Sequence, residues 1–252
     1  MSGTPQKLEE ALESGTLTLR FQPWINLWTD EVVGVEALVR LSDENTLPAE
    51  SFLPPYGDET LMPRLGHWVL DACCRQVAAW ERAGMPPLKM AVNVSVPELL
   101  DSEWIKTAER LFARYNVAPE RFEFEFSERV FRHETPEFAK RFEALRAMGA
   151  TLVIDDFGTG CSSLGLLKRH RFGKLKIDGR FIQGMRKDEI DLAIVRASVG
   201  LAHTMGMRVA AEAVETLSQR TELSLMGCDE IAGNVYAPPL EAERIQKMLR
   251  TF

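Results

Sequence analysis

Short apolar segments alternate with longer amphipathic segments along the chain, and this alternation is the feature that most limits its fold. The short segments predict eight strands, of which the last is the weakest: Leu17–Gln22, Val32–Arg40, Leu88–Val94, Phe122–Phe126, Thr151–Asp155, Lys174–Ile177, Arg208–Glu212 and Glu230–Tyr236. The longer segments predict helices over Leu65–Arg82, Ser102–Tyr115, Glu137–Met148, Ile190–Met205 and Glu241–Leu249, and Thr216 begins another with capping-box spacing. Repeated strand–helix units build parallel strands joined by right-handed crossovers.

One connection departs from this repeat. The first two strands are joined by Asn26–Glu31, which is too short to contain a crossover helix and therefore favours an antiparallel hairpin. Eight strands in about 250 residues favour a closed barrel over an open sheet. The sequence predicts an α/β fold, a (β/α)8 TIM-like barrel with an antiparallel first strand. We expect a single domain over residues 1–252, with its core over about residues 15–250.

Composition narrows the class of partner. The formal net charge of −7 disfavours general binding to DNA, RNA or an anionic membrane, although it leaves room for a small phosphate ligand. No apolar run reaches the roughly 20 residues that span a bilayer, and the N-terminus is polar, so we expect neither a membrane segment nor a signal peptide in this chain. The four cysteines form no CxxC pair, which favours reduced thiols and a cytoplasmic location.

Side chains of the kind that bind ligands recur where the predicted strands end. They are Glu36, Asn93, Glu125, Asp155 with its neighbour Asp156, Lys176, and Glu212 with Glu215 just beyond. The carboxyl ends of barrel strands converge on one mouth, where enzymes of this architecture place their active sites. We therefore expect these side chains to meet at one mouth of the barrel.

The alternation of side chains along a strand refines this expectation. The three phenylalanines of Phe122–Phe126 share one face, which suits packing under helices. Glu123 and Glu125 share the opposite face, which then points into the barrel. Lys174 and Lys176 also share one face of their strand.

Several carboxylates in one cleft strongly disfavour full ionisation, and a divalent cation relieves this repulsion. The candidate donors are all oxygen ligands: Glu36, Asn93, Glu125, Asp155 and Asp156. Such a set selects Mg²⁺ or Mn²⁺ over Zn²⁺, and it holds more carboxylates than one Mg²⁺ ion usually takes. Two ions are therefore expected, an arrangement that stabilises the attacking and the leaving oxygen in phosphodiester hydrolysis.

Each acid also has an ordinary interpretation. A lone glutamate at a strand end is most often solvated, and an Asp-Asp pair can cap a helix. A structural barrel with coincidental acids therefore stays an alternative. Five such strand ends in register argue against it. The four histidines lack the spacing of metal ligands.

Seven short segments then follow one another along the chain: Gln22-Pro23, Glu36-Ala37-Leu38-Val39-Arg40, Asn93-Val94-Ser95, Glu125-Phe126-Ser127-Glu128, DDFGTG from Asp155 to Gly160, Leu175-Lys176-Ile177-Asp178, and Ala211-Glu212-Ala213-Val214-Glu215-Thr216. In this order they resemble the motifs of the EAL-domain cyclic di-GMP phosphodiesterases, over nearly the whole chain. The EAL triplet alone is a weak signature, whereas seven motifs in order are highly specific.

The resemblance implies hydrolysis of one phosphodiester bond of cyclic di-GMP to linear pGpG, with Mg²⁺ or Mn²⁺ as cofactor. It assigns the metal ligands to Glu36, Asn93, Glu125, Asp155, Asp156 and Glu212. It assigns the catalytic side chains to Lys176 and Glu212, which assist the nucleophilic water, and to Glu215. Gln22 and Arg40 resemble substrate contacts, and Glu128 resembles the residue that stabilises the DDFGTG loop. The family also implies a homodimer through the face that carries this loop.

Some positions depart from the family pattern. Ala232 replaces the usual glutamine near the last strand, Ala213 replaces a glycine, and Cys161 replaces an aromatic residue after the DDFGTG loop. The segment Leu41–Glu59 diverges as well, with Tyr56-Gly57 in place of Ala-Glu. Losing one hydrogen-bonding partner at a reacting centre costs roughly 10²–10³ in rate. The alternative function is therefore a weak or inactive EAL domain that regulates by binding cyclic di-GMP or another protein.

Overall fold

The structure is a computed structural model that describes residues 4–42, 52–53, 58–159 and 164–249. Eight strands close a barrel in chain order: β1 (Leu17–Asn26), β2 (Val32–Leu41), β3 (Lys89–Asn93), β4 (Phe122–Ser127), β5 (Thr151–Phe157), β6 (Lys174–Ile177), β7 (Arg208–Ala211) and β8 (Glu230–Ile231). The described residues also form the helices α1 (Thr4–Ser14), α2 (Leu61–Arg82), α3 (Val96–Leu100), α4 (Trp104–Tyr115), α5 (Pro136–Ala147), α6 (Leu164–Arg169), α7 (Gly179–Gly184), α8 (Glu189–Thr204), α9 (Leu217–Met226) and α10 (Ala242–Leu249).

The direction of β1 confirms the predicted departure from an all-parallel barrel. β1 pairs antiparallel with β2 and with β8, while each neighbouring pair from β2 to β8 is parallel. The hairpin turn after β1 is held by Asn26 Oδ1, which accepts hydrogen bonds from the backbone N–H groups of Trp28 (2.8 Å) and Thr29 (3.1 Å). This local side-chain bonding explains how so short a connection reverses the chain between β1 and β2.

Two predicted strand ends differ from the structure. β7 ends at Ala211, so Glu212 lies one residue beyond the strand. β8 contains only Glu230–Ile231 because the chain turns away at Gly233. Gly233 has φ 151°, and a Cβ placed there would lie 2.3 Å from the carbonyl oxygen of Val214, so only glycine fits this approach.

The long helices follow the predicted apolar periodicity. Thr216 caps α9 as its spacing indicated, because its Oγ1 accepts from Gln219 N (3.2 Å) while Gln219 Oε1 accepts from Thr216 N (2.9 Å). The sequence reading missed α1, at the polar N-terminus, and the three short helices α3, α6 and α7. Helices of five or six residues contain too few turns to show an apolar period.

The main core lies between the barrel wall and the surrounding helices. The phenylalanines of β4 point outward, as predicted: the ring centroid of Phe124 lies 5.4 Å from that of Trp104 in α4, and Phe126 lies 5.1 Å from Phe142 in α5. Packing on the outside leaves the opposite face of each strand to fill the barrel, and on several strands that face is charged.

Two further sequence predictions concern the chain as a whole. Among the described helices, none has the length and apolar character that a bilayer crossing requires. Cys73, Cys74 and Cys228 are buried free thiols, and burial raises the pKa of each. Cys161 lies outside the described residues.

Candidate active site

The ammonium group of Lys176 lies at the centre of the predicted residues, near the carboxyl ends of the strands. Its Nζ is within ion-pair distance of four carboxylates: Glu212 (2.6 Å), Glu125 (2.7 Å), Asp155 (3.2 Å) and Glu36 (3.3 Å). We call Lys176 and these four carboxylates the upper cluster. Lys176 is fully buried, so one cation inside the protein faces four acids, which is more than it can balance when all four are ionised.

The strands bring these side chains together from different sides of the barrel. Glu36 lies on β2, Glu125 on β4, Asp155 on β5 and Lys176 on β6, while Glu212 follows β7. Parallel register sets Asn93 of β3 beside Glu125, and Asn93 Nδ2 donates to Glu36 Oε1 (2.9 Å). Alternation along each strand points them all into the barrel mouth, as the sequence predicted.

The two adjacent aspartates are directed to different partners by a turn of the backbone. Asp156 has φ 54°, a left-handed conformation that aspartate tolerates better than most residues. Its N–H donates to Asp155 Oδ1 (2.8 Å), and its Oδ2 accepts from Ser127 Oγ (3.0 Å). Asp155 therefore joins the upper cluster, while Asp156 lies beside it on the rim.

Glu128 contacts the start of the DDFGTG loop. Its side chain is buried, and its Oε2 accepts a hydrogen bond from the backbone N–H of Gly158 (3.0 Å). A buried carboxylate that accepts from the loop backbone fixes the position of the turn that follows Asp156. Gly160 and Cys161 lie outside the described residues.

Burial and mutual repulsion shift the titration of the upper cluster. Burial, with repulsion from Glu36, raises the pKa of Glu125 well above its usual range. Burial likewise raises the pKa of Asp155, and it raises that of Glu212 to about 8. Burial opposes the charge of Lys176, but the four carboxylates outweigh it and hold the pKa of Lys176 well above its usual value. The lysine stays charged while the acids bind protons more readily than usual.

A second charged group lies one layer deeper in the barrel. Lys174 Nζ contacts Glu123 and, at 2.6 Å, Glu230 Oε2, and Arg208 pairs with the same two acids, at 2.8 Å to Glu123. We call these four residues the lower cluster. Burial acts to raise the pKa of Glu123, but Lys174 and Arg208 outweigh it and hold that pKa below its usual value. Two cations face two acids, so this group is charge-balanced.

A cavity of about 300 Å³ opens beside the upper cluster. Its wall includes Gln22, Trp24, Glu36, Leu38, Glu212, Ala213, Glu215, Ala232, Gly233 and Asn234. The structure thus places Gln22 and Glu215 next to the carboxylates, as predicted for active-site residues. Gln22 is oriented by its Nε2, which donates to Ala237 O (2.9 Å), and Glu215 is exposed to solvent.

Several predicted site residues lie outside this cavity wall, and Arg40, a predicted substrate contact, is one of them. Its Nη1 donates to the carbonyl oxygen of Val39 (2.8 Å), and it is not among the described residues of the cavity wall. Ala232, where a glutamine is usual in the resemblance, does lie in the wall and contributes only a methyl group.

The described carboxylates do not form a ready-made metal cage. Within the described ranges no three His, Cys, Asp or Glu side chains converge closely enough to ligate one ion. The carboxylates instead converge on the Lys176 ammonium, which compensates part of their charge. An excess of buried carboxylate oxygens suits a hard divalent cation.

Two parts of this site were missed by sequence reasoning. Trp24 lies between the clusters, with its ring centroid 5.3 Å from Lys176 Nζ and 5.8 Å from Lys174 Nζ. Its position two residues after Gln22 on one strand was the available signal. The partners of Lys174 were missed as well, because contacts across a barrel leave no local pattern.

A comparison with protein families identifies the chain. The family model described as "EAL domain" matches residues 5–239. The chain belongs to the EAL domain family. Solved EAL domains share its architecture, so the fold is that of a TIM-like barrel. Phosphodiesterases of this family generally depend on divalent metal ions.

Individual relatives are consistent with this family. The chain is 34% identical over 240 residues to the bifunctional diguanylate cyclase/cyclic di-GMP phosphodiesterase MucR of Pseudomonas aeruginosa, covering 94% of this chain and 35% of that protein. It is 33% identical over 235 residues to the cyclic di-GMP phosphodiesterase PA2567 of the same organism, covering 92% and 40%. The chain spans roughly a third of the length of such curated relatives.

A solved structure described as a PaMucR phosphodiesterase in complex with c-di-GMP superposes with a TM-score of 0.89 at 34% identity. The superposition covers 95% of this EAL domain and 98% of that chain. The likeness therefore extends over nearly the whole chain.

Proposed function

We propose that this EAL domain hydrolyses one phosphodiester bond of cyclic di-GMP, giving linear pGpG, with Mg²⁺ or Mn²⁺ as its cofactor. The observation that carries the proposal is the upper cluster, in which one buried ammonium faces four carboxylates beside an open cavity. Relatives that are named cyclic di-GMP phosphodiesterases share about a third of its residues over nearly its full length, which supports the substrate.

The metal ligands are proposed to be Glu36, Asn93, Glu125, Asp155, Asp156 and Glu212. All six offer oxygen donors, which favours Mg²⁺ or Mn²⁺. When bound, two such ions stabilise the charge that develops on the attacking and leaving oxygens of the phosphodiester. The excess of acids over cations supports this assignment, because Lys176 alone cannot balance four ionised carboxylates.

Lys176 and Glu212 are proposed to assist the nucleophilic water. Glu212 follows β7 and is part-exposed at the cavity wall, where a water molecule can approach its carboxylate. Lys176 lies 2.6 Å from Glu212 Oε1 and keeps its charge, so it can orient the same water by donating a hydrogen bond. Glu215 lies in the same wall as a further catalytic carboxylate.

Substrate contacts are proposed at Gln22 and Arg40. Gln22 lies in the cavity wall, across the β1–β2 ladder from Glu36. Arg40 occupies the last residue of the EALVR motif, and its guanidinium could pair with a phosphate after it turns from Val39 O. Glu128 is proposed to stabilise the DDFGTG loop through Gly158.

The test separates nucleotides by chromatography after the purified chain is incubated with cyclic di-GMP and Mn²⁺ or Mg²⁺. We expect pGpG to form only with metal and to be absent with Lys176→Ala. The control is Lys106→Ala, which removes an exposed lysine paired with Glu103 and should leave turnover unchanged. Turnover that persists in a chelator or in Lys176→Ala would contradict the proposal.

A second function is supported by one observation. The cavity wall at Ala232 offers no side-chain amide, which leaves one hydrogen-bonding partner fewer beside the reacting centre. A weak or inactive EAL domain that regulates by binding cyclic di-GMP, or another protein, would result. Absence of product with nucleotide binding in calorimetry would support a cyclic di-GMP receptor, and absence of both would support a protein-binding role.

The organisation around this site is also proposed. We infer one catalytic unit over about residues 15–250, and a homodimer through the face that carries the DDFGTG loop. Sizing chromatography at working concentration tests the dimer, and elution as a monomer would contradict it.

A further inference from the structure

Trp24 is buried in the barrel interior between the two charged clusters. Its side chain is 2% exposed, and it packs in a small apolar group with Ala210 of β7, Ala232 after β8 and Val33 of β2. Both alanines are small, which leaves the room that an indole ring needs beside them. The ring therefore presents an apolar surface between the two clusters and contributes to the wall of the cavity.

The indole ring is within cation–π distance of both buried lysines. Lys176 Nζ lies 5.3 Å from its centroid and Lys174 Nζ lies 5.8 Å from it, and ammonium groups within about 6 Å of an indole face are attracted to it. The two lysines differ in their other partners. Lys174 has two carboxylates that balance it with Arg208, whereas the carboxylates around Lys176 are the proposed metal ligands.

This difference gives Trp24 a role that depends on the proposed function. Carboxylate oxygens that bind a divalent cation attract the Lys176 ammonium less strongly, because their charge is shared. The indole face binds neither a metal ion nor a proton, so its attraction for the ammonium is unchanged when the cavity is loaded. The ring of Trp24 is thus the one described partner outside the carboxylates that holds the Lys176 ammonium in place.

We propose that Trp24 is a positioning residue, whose indole face holds the Lys176 ammonium in its working place when metal ions bind the surrounding carboxylates. It acts through Lys176 and not by contact with the reacting atoms. The proposal predicts that the ring face matters, and that the volume of the side chain alone does not suffice.

The kinetic test compares Trp24→Leu with Trp24→Phe under saturating Mn²⁺. Trp24→Leu removes the ring and should lower kcat about tenfold, in the range of a desolvated cation–π contact, with little change in KM. Trp24→Phe keeps an aromatic face and should restore most of the loss. Equal losses in the two variants would overturn the proposal.

Trp104 provides a matched control. It is another buried indole, 1% exposed, and neither its Nε1 nor that of Trp24 has a hydrogen-bond partner among the described residues. Trp104, however, packs outside the barrel on Phe124. Trp104→Leu should destabilise the fold about as much as Trp24→Leu while leaving kcat of the folded protein unchanged. An equal loss of kcat in Trp104→Leu would show that Trp24 acts only through general packing.

A readout without turnover keeps this proposal separate from the proposed function. In metal-free protein with ¹³C-labelled lysine, the ring current of Trp24 should displace the ε-methylene signal of Lys176, which Lys176→Met identifies by its loss. The displacement should vanish in Trp24→Leu and persist, reduced, in Trp24→Phe. A wild-type chain that shows the displacement but hydrolyses no cyclic di-GMP would contradict only the proposed function. An undisplaced Lys176 signal would overturn the role of Trp24.

Discussion

The upper and lower clusters are built from the same materials and differ in charge balance. Each is centred on a lysine of β6, and each takes one glutamate from β4. In the lower cluster Lys174 and Arg208 face two glutamates, so the charges cancel. In the upper cluster Lys176 alone faces four carboxylates, and three of these have raised pKa values. The charges of the lower cluster are therefore balanced within the protein, whereas the upper cluster has more acids than its one cation can balance.

This difference indicates which cluster serves stability and which serves function. Removing one member of a balanced, buried ion network strongly lowers the free energy of unfolding. Such a network has no unpaired charge with which to bind a ligand. An unbalanced cluster stores repulsion that a divalent cation relieves, and it lies where a cavity admits one. The barrel therefore separates the two tasks by two residues along β4 and along β6.

The largest expected effect concerns Lys176. Lys176→Met keeps an unbranched apolar stem of similar volume but removes the ammonium that faces Glu212 and the nucleophilic water. We expect kcat for cyclic di-GMP to fall about 10²–10³-fold or more. Steady-state rates at saturating Mn²⁺ measure this loss, and a rate within a small factor of the wild type would remove Lys176 from the proposed machinery.

The corresponding change in the lower cluster should act on stability instead. Lys174→Met leaves Glu123 and Glu230 with Arg208 as their cation, so the free energy of unfolding should fall by about 3–5 kcal/mol. Urea unfolding measures it, with Lys106→Met as the control, because that exposed pair contributes less than about 1 kcal/mol. A decrease in the free energy of unfolding no larger than that of Lys106→Met would contradict the claim that the lower cluster serves stability.

Glu98 separates the effect of burial from that of neighbouring charge. It is 4% exposed, accepts a hydrogen bond from Ser95 N (2.5 Å), and burial raises its pKa to about 7. Because the folded state binds this proton more tightly than the unfolded state, its contribution to stability is complete below the unfolded pKa of 4.5 and is lost as pH rises through about 7.

The corresponding measurement is urea unfolding at two pH values. Glu98 should make the wild type about 2 kcal/mol more stable near pH 5.5 than near pH 8, beyond the pH dependence that Glu98→Gln retains. Equal pH dependence in the two proteins would mean that burial alone does not shift a carboxyl here. Repulsion between neighbouring carboxylates would then be the main cause of the raised pKa values in the upper cluster.

The smallest expected effect concerns the backbone beside Glu212. Ala213 has φ 51°, a left-handed conformation that costs a residue with a Cβ about 1–2 kcal/mol. Ala213→Gly should raise the free energy of unfolding by about 0.5–1 kcal/mol, after the added chain entropy of glycine. Asn116→Gly is the control, since Asn116 has φ 52° at the end of α4 and asparagine tolerates this conformation. Equal changes in the free energy of unfolding for the two variants would show that the backbone at Ala213 is not strained.

Much of this molecule follows from the sequence because strands have a strict period. The barrel, its antiparallel β1 and the inward face of Glu123 and Glu125 were all predicted from spacing. The convergence of the strand-end acids was predicted as well. Alternation does not reveal which charges meet across a barrel. Only the structure shows that the Lys176 ammonium lies at the centre of the acids and that Lys174 pairs with Glu230.

The missed features share a physical cause. Trp24 contacts both lysines from the opposite side of the barrel, and nothing in its neighbourhood along β1 marks that meeting. The strand over Glu230–Tyr236 was predicted too long, because the close approach of Gly233 to Val214 is a tertiary constraint. The predicted divergence at Tyr56-Gly57 lies outside the described residues.

The most direct test of the central claim is a Mn²⁺ titration of the metal-free protein by calorimetry, with Glu125→Gln and Glu123→Gln measured beside the wild type. These two glutamates lie on one face of β4, two residues apart, and differ chiefly in the cluster to which they belong. We predict that Mn²⁺ binds wild type and Glu123→Gln with similar heat and that the binding is lost in Glu125→Gln. Equal binding in the two variants, or its absence in all three proteins, would contradict the assignment of the upper cluster as the cation site.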